Sequence, residues 1–310
     1  MMDNLVLGAM WFGTLADERR SFEILDRFVD AGGVWIDTSN SYAFWVDPTG
    51  FGGQSETVLG RWLANRPGVR DRVRISTKVG AEPTVAGRFP ETAEGLSAGV
   101  VKRGIEDSLR RLGTDHVELY WAHVPDPATP LEESVAAFDE LVSAGTVGRI
   151  GCSNYPVWQV ERARQIARAH GSVGFTAVQQ HLTYLRPRPG TRLQEAARFG
   201  AVTDEVRHYL EHHPDLTLWA YTPLLSGGYT RADKPLPAMY DHPGTTRRLA
   251  VLDEIAAETG TNRNRVVLAW LSPAATPIVG VSTVEQVDEA VAGVSLELTA
   301  EQRERLDAAV

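Results

Sequence analysis

A chain of 310 residues, 43% hydrophobic and 23% charged, has the composition of a globular protein with a large core. Its formal net charge of -9 and the lack of any basic run exclude a stripe for phosphate backbones, so nucleic acid is not an expected partner. No apolar run approaches the length of a membrane span, the start lacks a leader pattern, and the single cysteine, Cys152, rules out an intrachain disulfide framework, so a cytoplasmic location is expected.

In chain order, short apolar segments alternate with amphipathic ones. A first strand is expected at residues 6–8, followed by apolar positions three or four apart over 17–31, which read as a helix. A second strand over 34–37 ends in Asp37. After a long loop, Gly52-Gly53-Gln54-Ser55-Glu56 opens a helix over 55–64, with Gln54 or Ser55 near its cap. The third strand, 73–78, ends in Lys78 and precedes a helix over 91–112. Strands at 117–121 and 147–151 are followed by helices at 131–144 and 157–169. Three more strands, at 176–179, 216–220 and 277–280, lead to a helix over 284–291 and a short trailing one over 299–309. Eight strands alternating with helices, without a break in composition, predict an α/β fold of the closed (β/α)8 TIM barrel type. It would form a single domain over residues 1–310, with its chemistry on the loops that follow the strand C-termini. Segments 185–215 and 225–260 are longer than a plain barrel needs.

Polar residues at strand ends therefore carry the functional reading. Asp37, Lys78, His123, Ser153 and Asn154 all fall at or just beyond a strand end. Each alone has an ordinary explanation: a turn cap, a lysine snorkelling at the rim, a satisfied core histidine, a strand-to-helix turn. Their convergence on one rim does not. Of 31 basic residues only Lys78, Lys102 and Lys234 are lysines, so a lysine at the end of "RISTK" indicates a need for a compact ammonium.

The segments "LGAMWFG", "DTSNSY", "STK", "WAHVPD", "GCSN", "VQQHLTYL" and "AYTPLLSGG" follow one another in an order and spacing that resembles the aldo-keto reductases, over nearly the whole chain. That resemblance implies a (β/α)8 barrel that binds a nicotinamide cofactor, usually NADPH, and reduces aldehydes or ketones. Motif by motif, it makes Asp37, Tyr42, Lys78 and His123 the catalytic set. Hydride delivery builds negative charge on the carbonyl oxygen, which must be stabilised and protonated. Tyr42 would donate the proton, and the Lys78 ammonium is expected to raise the acidity of its phenol. Asp37 would keep Lys78 charged and oriented, and His123 would direct and polarise the carbonyl.

The same resemblance makes Ser153, Asn154 and Gln179 contacts of the nicotinamide carboxamide, and Tyr221 the ring on which the nicotinamide stacks. Leu224, Ser226 and Gly227 would follow the pyrophosphate, and Gly280, Ser282, Thr283, Gln286 and Glu289 would form the last loop, with Glu289 at the adenine. Relatives often carry Lys or Arg in that loop for the 2′-phosphate. Residues 277–290 contain neither, so NADPH is expected with NADH as an alternative, Arg263 and Arg265 being the basic residues nearby in sequence. Family members also usually begin with a β-hairpin under the barrel. This chain enters almost directly at its first strand, so something else is expected to cover that end.

"AFWVDPTGF", residues 43–51, is longer than the short family form of this loop. Phe44 and Trp45 are expected beside Tyr42 at the mouth, either fastening the loop to the rim or touching substrate, and Trp11 is a further candidate for the substrate pocket. Cys152 reads as a small buried filler. His208 and His212 form an i, i+4 pair beside His213, but no third ligand follows at suitable spacing, so no metal is expected. The expected partner is a small-molecule carbonyl compound. Two other classes remain open on the sequence: a non-enzymatic nicotinamide-binding regulatory subunit on the same fold, and a metal-dependent barrel hydrolase. The second would need converging ligands at strand ends, where only one histidine stands.

Overall fold

The computed structural model describes residues 2–191 and 198–309. Eight parallel strands form a closed ring: β1 (Met2–Gly8), β2 (Gly33–Asp37), β3 (Arg74–Val79), β4 (Val117–Ala122), β5 (Val147–Ser153), β6 (Phe175–His181), β7 (Thr217–Tyr221) and β8 (Thr276–Gly280). The ring shuts through β8 and β1, with Val6 opposite Ile278 and Gly8 opposite Gly280. Parallel neighbours need long crossovers, and helices supply them on the outside. These are α1 (Glu18–Asp30), α2 (Gln54–Ala64), α3 (Ala98–Leu112), α4 (Leu131–Ser143), α5 (Val157–Ala169), α6 (Asp204–Glu211), α7 (Pro243–Glu258), α8 (Arg263–Leu271) and α9 (Val284–Val294). A last helix, α10 (Ala300–Ala308), starts at a capping box in which Thr299 and Gln302 satisfy each other's backbone N–H.

Alternation along the strands sorts the interior into levels. Val6, Trp35, Leu119, Trp121, Ala177, Trp219 and Ile278 form one apolar cluster inside the ring. Two residues further along the same strands come Asp37, His123, Gln179 and Tyr221, so the apolar floor gives way to a polar rim at the C-terminal end. Outward-facing residues such as Leu7, Ile36, Ile75 and Val79 pack against Ile24, Phe28, Leu59 and Ile105 of the helices. A second outer cluster, including Tyr184, Tyr229, Tyr240, Leu252, Ile255 and Leu306, lies where α7, α8 and α10 meet.

Several sequence expectations are corrected here. The third crossover helix begins at Ala98, seven residues later than the expected start at 91. Residues 91–97 are committed elsewhere: the Glu94 carboxylate accepts from Gly80 N at 2.7 Å and Asn40 Nδ2 at 2.8 Å, Gly95 takes φ 74°, and Leu96 N donates to Asp126. The opening of α2 is as expected, with Gln54 and Ser55 directly after its cap, which is Gly53 at φ 101°. A side chain at Gly53 would meet both that backbone strain and the Arg111 side chain 3.1 Å away. Ser55 ties α2 to the barrel, through Ala9 O at 2.8 Å and Thr38 Oγ1 at 2.7 Å. The two long segments also hold helices: α6 closes the first, in which residues 192–197 lie outside the described residues, and α7 fills much of the second.

No added element covers the floor among the described residues. Three indoles fill it, Trp35 meeting Trp219 edge-on at 5.1 Å and Trp219 meeting Trp121 at 5.3 Å. Below them the ring opens into a cavity of about 580 Å³. Among the described residues no helix is long and apolar enough to cross a membrane.

Candidate active site

Asp37, Lys78 and His123 come from three adjacent strands, and the backbone of the loop after β2 brings Tyr42 over them. Lys78 is fully buried, so the snorkelling alternative does not apply. Its Nζ donates to Asp37 Oδ2 at 2.5 Å, to the Thr38 carbonyl at 2.7 Å and to the Tyr42 phenolic oxygen at 2.7 Å. All three ammonium protons are thereby used. The other Asp37 oxygen accepts from Ser76 Oγ at 2.6 Å, with Gln179 Nε2 more distant at 3.4 Å. Four hydrogen-bonding groups thus surround a carboxylate and ammonium that would otherwise be costly to bury.

Electrostatics differ in sign from the sequence expectation. The phenol of Tyr42 is held well above its ordinary value, first by desolvation and then by the Asp37 carboxylate, whose Oδ2 lies 3.4 Å away. Lys78 itself is lowered by burial, with Asp37 opposing the shift. Burial, reinforced by the Lys78 charge, pushes His123 well below its ordinary value, so the imidazole is neutral near pH 7. Tyr42 and His123 lie edge to face, with ring centres 5.9 Å apart, and both keep some surface open to the mouth.

Next to them Asn154 adopts φ 64°, a conformation Asn tolerates better than most residues. Its Nδ2 donates to the His123 carbonyl at 3.0 Å and to Ser153 Oγ at 3.1 Å, and its Oδ1 accepts from the Tyr221 hydroxyl at 2.8 Å. Ser153 Oγ in turn donates to the Gln179 carbonyl at 2.9 Å. Ser153, Asn154, Gln179 and Tyr221 are therefore one connected set bordering the Asp37–Lys78–Tyr42 group.

The whole chain agrees with this arrangement. A model of the Aldo/keto reductase family matches residues 4–310. The chain belongs to the aldo-keto reductase family. It is 30% identical to the uncharacterized oxidoreductase YrpG of Bacillus subtilis, over 97% of this chain and 90% of that one. Norsolorinic acid reductase stcV of Emericella nidulans is 29% identical over 95% of this chain and 73% of its own. The aryl-alcohol dehydrogenase GME11368 of Pestalotiopsis microspora is 27% identical, over 99% of this chain and 77% of its own. This aldo-keto reductase is accordingly an NAD(P)H-dependent enzyme of carbonyl oxidoreduction.

In the loop beside Tyr221, Thr222, Leu225, Ser226 and Gly227 take φ of 55°, 48°, 55° and 97°, and the N–H groups of Leu225 and Gly227 donate within the turn to the Thr222 and Leu224 carbonyls at 3.2 and 3.0 Å. Leu224 lies within this turn. Tyr221 pairs in register with Ile278, so the loops after β7 and β8 are side by side. Gly280 is exposed, with open space where a Cβ would stand. Beyond it, the Ser282 backbone N–H and hydroxyl donate to Gln286 Oε1 at 2.7 and 3.2 Å, and Thr283 caps α9. Glu289 accepts from Asn262 at 2.6 Å and Asn264 at 3.0 Å. Arg263 is committed to Asp253, at 2.7 and 2.6 Å, and to the Tyr229 carbonyl.

At the mouth, Phe44 and Trp45, two of the three aromatic residues of the long loop, have different environments. Phe44 is buried, packed on Phe89 with ring centres 5.8 Å apart. Trp45 is 49% exposed and meets Trp11 edge-on at 6.0 Å. Cys152 is buried in the outer core, where desolvation pushes its thiol up. His208 and His212 face each other at 4.4 Å, and among the described residues no group of three or more His, Cys, Asp or Glu is placed to hold a metal.

Sequence reasoning passed over the residues that support the site. Ser39 Oγ and Ser41 Oγ lie 3.2 and 3.4 Å from His123 Nδ1, and Gln180 accepts from Asn154 N at 3.1 Å while donating to the Tyr155 carbonyl at 2.7 Å. The available signal was the alternation of hydroxyls in "DTSNSY", which places Ser39 and Ser41 two residues apart between Asp37 and Tyr42.

Proposed function

We propose that the protein reduces an aldehyde or ketone to the alcohol with NADPH as reductant and Tyr42 as proton donor. The observation that carries this reading is the Lys78 ammonium, buried and fixed between Asp37 and the Tyr42 oxygen at 2.5 and 2.7 Å. Reduced nicotinamide, when bound, supplies the hydride. As charge develops on the carbonyl oxygen, Tyr42 gives up its phenolic proton to it. The Lys78 hydrogen bond then stabilises the phenolate that forms, so the ammonium acts most strongly after the proton has begun to leave. A phenol held above its ordinary value keeps its proton available until that moment. His123, being neutral, offers an N–H to the same oxygen without adding a buried charge.

Ser153, Asn154 and Gln179 are the groups proposed to orient the nicotinamide carboxamide, with Tyr221 beside its ring. The turn at residues 222–227 would receive the pyrophosphate, and Ser282, Thr283 and Gln286 the adenosine end, where Glu289 steadies the amides of Asn262 and Asn264. Trp11 and the exposed Trp45 give the mouth an aromatic wall. Together with relatives named for an aryl alcohol and for norsolorinic acid, this supports an aromatic carbonyl compound as substrate.

Tyr42→Phe tests the central claim. Turnover is expected to fall about a hundredfold or more with little change in NADPH affinity, because the substitution removes a proton donor and leaves the cofactor contacts in place. Reduction of a good aldehyde at the parent rate would overturn the assignment.

A further inference from the structure

We propose that the open floor of the barrel, at the end opposite Tyr42, is a binding site for an oxyanion, a carboxylate or phosphate group carried on a small molecule, and that Arg149 is its anchor. The cavity there measures about 580 Å³, within the range of small-molecule sites, and Trp35, Trp219, Arg74, Arg149 and the carboxylates of Asp3 and Glu118 are among its walls. Arg149 stands opposite Leu119 in the ladder, on an inward-facing position of β5 at the level below the tryptophans. Its guanidinium lies 5.3 Å from the centre of the Trp35 ring, and the guanidinium of Arg74 lies 5.6 Å from the same ring. Two cations therefore share one indole.

Their partners are unequal. Arg74 donates to Asp3 at 3.0 Å, and the nearby Glu118 is taken by Arg70 at 2.9 Å and by the backbone N–H of Ile75. Arg149 has no carboxylate and no hydrogen-bond acceptor among the described residues, only the indole face. Desolvation and the neighbouring Arg74 charge both lower its pKa, so it stands in an unfavourable field with its donors unused. A guanidinium is a planar fork matched to carboxylate and phosphate, and a bound oxyanion would supply both the missing acceptors and the missing charge. Asp3 and Glu118, which also line the cavity, are already paired with Arg74 and Arg70, so the unpaired charge on this floor is that of Arg149. Bulky walls favour a compact head group with a flat or small body against Trp35 and Trp219. The tryptophan layer separates this cavity from the polar rim, so the proposed ligand neither replaces the nicotinamide nor reaches the carbonyl, and the site stands independently of the reaction proposed above.

The test is calorimetric titration of the full chain with inorganic phosphate, citrate and benzoate in turn, at fixed ionic strength and with NADPH added to occupy the opposite rim, alongside the melting temperature. Saturable binding of at least one of them is expected, and the arm that binds identifies phosphate or carboxylate as the head group. Arg149→Gln should weaken that binding by about tenfold or more, without lowering the melting temperature of the ligand-free protein, since it removes an unpaired charge. Should that variant not fold, Arg149→Lys, which keeps the charge but loses the fork, should still weaken binding by about threefold or more. No saturable binding of any of the three ions overturns the proposal. So does affinity that is unchanged in the folded Arg149 variant, because the ion would then be held elsewhere.

Discussion

Ser39 Oγ lies 3.2 Å from Nδ1 of His123, and the Ser39 oxygen itself accepts from the backbone N–H of Ser41 at 3.2 Å. With Ser41 Oγ at 3.4 Å from the same nitrogen, Nδ1 faces two hydroxyls that can donate to it. A neutral imidazole that accepts at Nδ1 must carry its proton on Nε2. Replacing both serines by alanine removes that preference, and if His123 polarises the substrate through Nε2–H, turnover should fall about tenfold to a hundredfold. Nitrogen chemical shifts of His123 give the tautomer directly. An unchanged tautomer in the double variant would separate the serines from the role given to them here.

The pH dependence of reduction follows from the directions of three shifts. His123 is pushed well below its ordinary value of 6.5, so it stays neutral and no loss of activity centred near pH 6.5 is expected. Tyr42 is pushed above 10.0 and keeps its proton through the neutral range. Lys78 is lowered from 10.5, so the first group to lose its proton on the alkaline side is the ammonium that stabilises the phenolate. The profile of kcat/KM should be flat through the neutral range and fall on the alkaline side. An acid limb with a midpoint near that of free histidine would show that His123 must be neutralised before it can act.

Much of this site was legible in the sequence because each inward column changes character at one level: Trp35 to Asp37, Trp121 to His123, Trp219 to Tyr221. Strand ends could be read from that change, and the rim followed. The same logic fails for α8. Val266, Val267, Leu268 and Ala269 are all buried, so the helix shows no polar face and no period of 3.6. The start of α3 was hidden because Glu94 and Leu96 hydrogen-bond to other loops and not to their own helix. The sign of the Tyr42 shift was beyond sequence reasoning for another reason. It depends on how close Asp37 lies and how dry the site is, neither of which a motif encodes.

Glu82 provides a test outside the reacting group. Desolvation, aided by Glu94 and Glu56 and opposed by the Gly52 N–H and Arg111, raises it from 4.5 to about 7. A carboxyl raised in the folded state holds a proton that the unfolded chain has released, so its stabilising contribution is full below about pH 4.5 and is lost as pH rises through 7. Glu82→Gln retains an acceptor for Gly52 N, now at 2.8 Å from Glu82 Oε1, without the charge. The variant should be more stable than the parent at alkaline pH by about 1–2 kcal/mol, a figure discounted because the residue is only partly buried. At acid pH the two should melt together. A constant difference across pH would assign the effect to packing.

For the cofactor, residues 277–290 contain no Lys or Arg and Arg263 is engaged with Asp253, so the loop proposed for the 2′-phosphate itself offers neutral donors, with Arg265 the nearby basic residue that has no carboxylate partner among the described residues. Neutral hydrogen bonds to phosphate are weaker than charge-assisted ones. NADPH should bind more tightly than NADH, but by about tenfold and not by the hundredfold or more of a charged clamp. Dissociation constants for both cofactors decide this, and a preference for NADH would mean that the loop reads the 2′-hydroxyl.

The loop at residues 43–51 yields two separable outcomes, because its aromatic residues do different jobs. Phe44 is 8% exposed and packs on Phe89, so Phe44→Ala creates a cavity and should lower stability by about 3 kcal/mol or more, with activity falling evenly across substrates. Trp45 is 49% exposed and leans on Trp11, so Trp45→Ala should leave the melting temperature nearly unchanged. Its expected effect is on recognition: specificity constants for aromatic carbonyls should fall relative to small aliphatic aldehydes by about 1–3 kcal/mol, while NADPH affinity stays the same. Measuring stability and relative specificity on each single variant distinguishes the two residues. If Trp45→Ala leaves the substrate ranking intact, the ring only shields the rim, and Trp11 becomes the residue on which recognition of an aromatic substrate would have to rest.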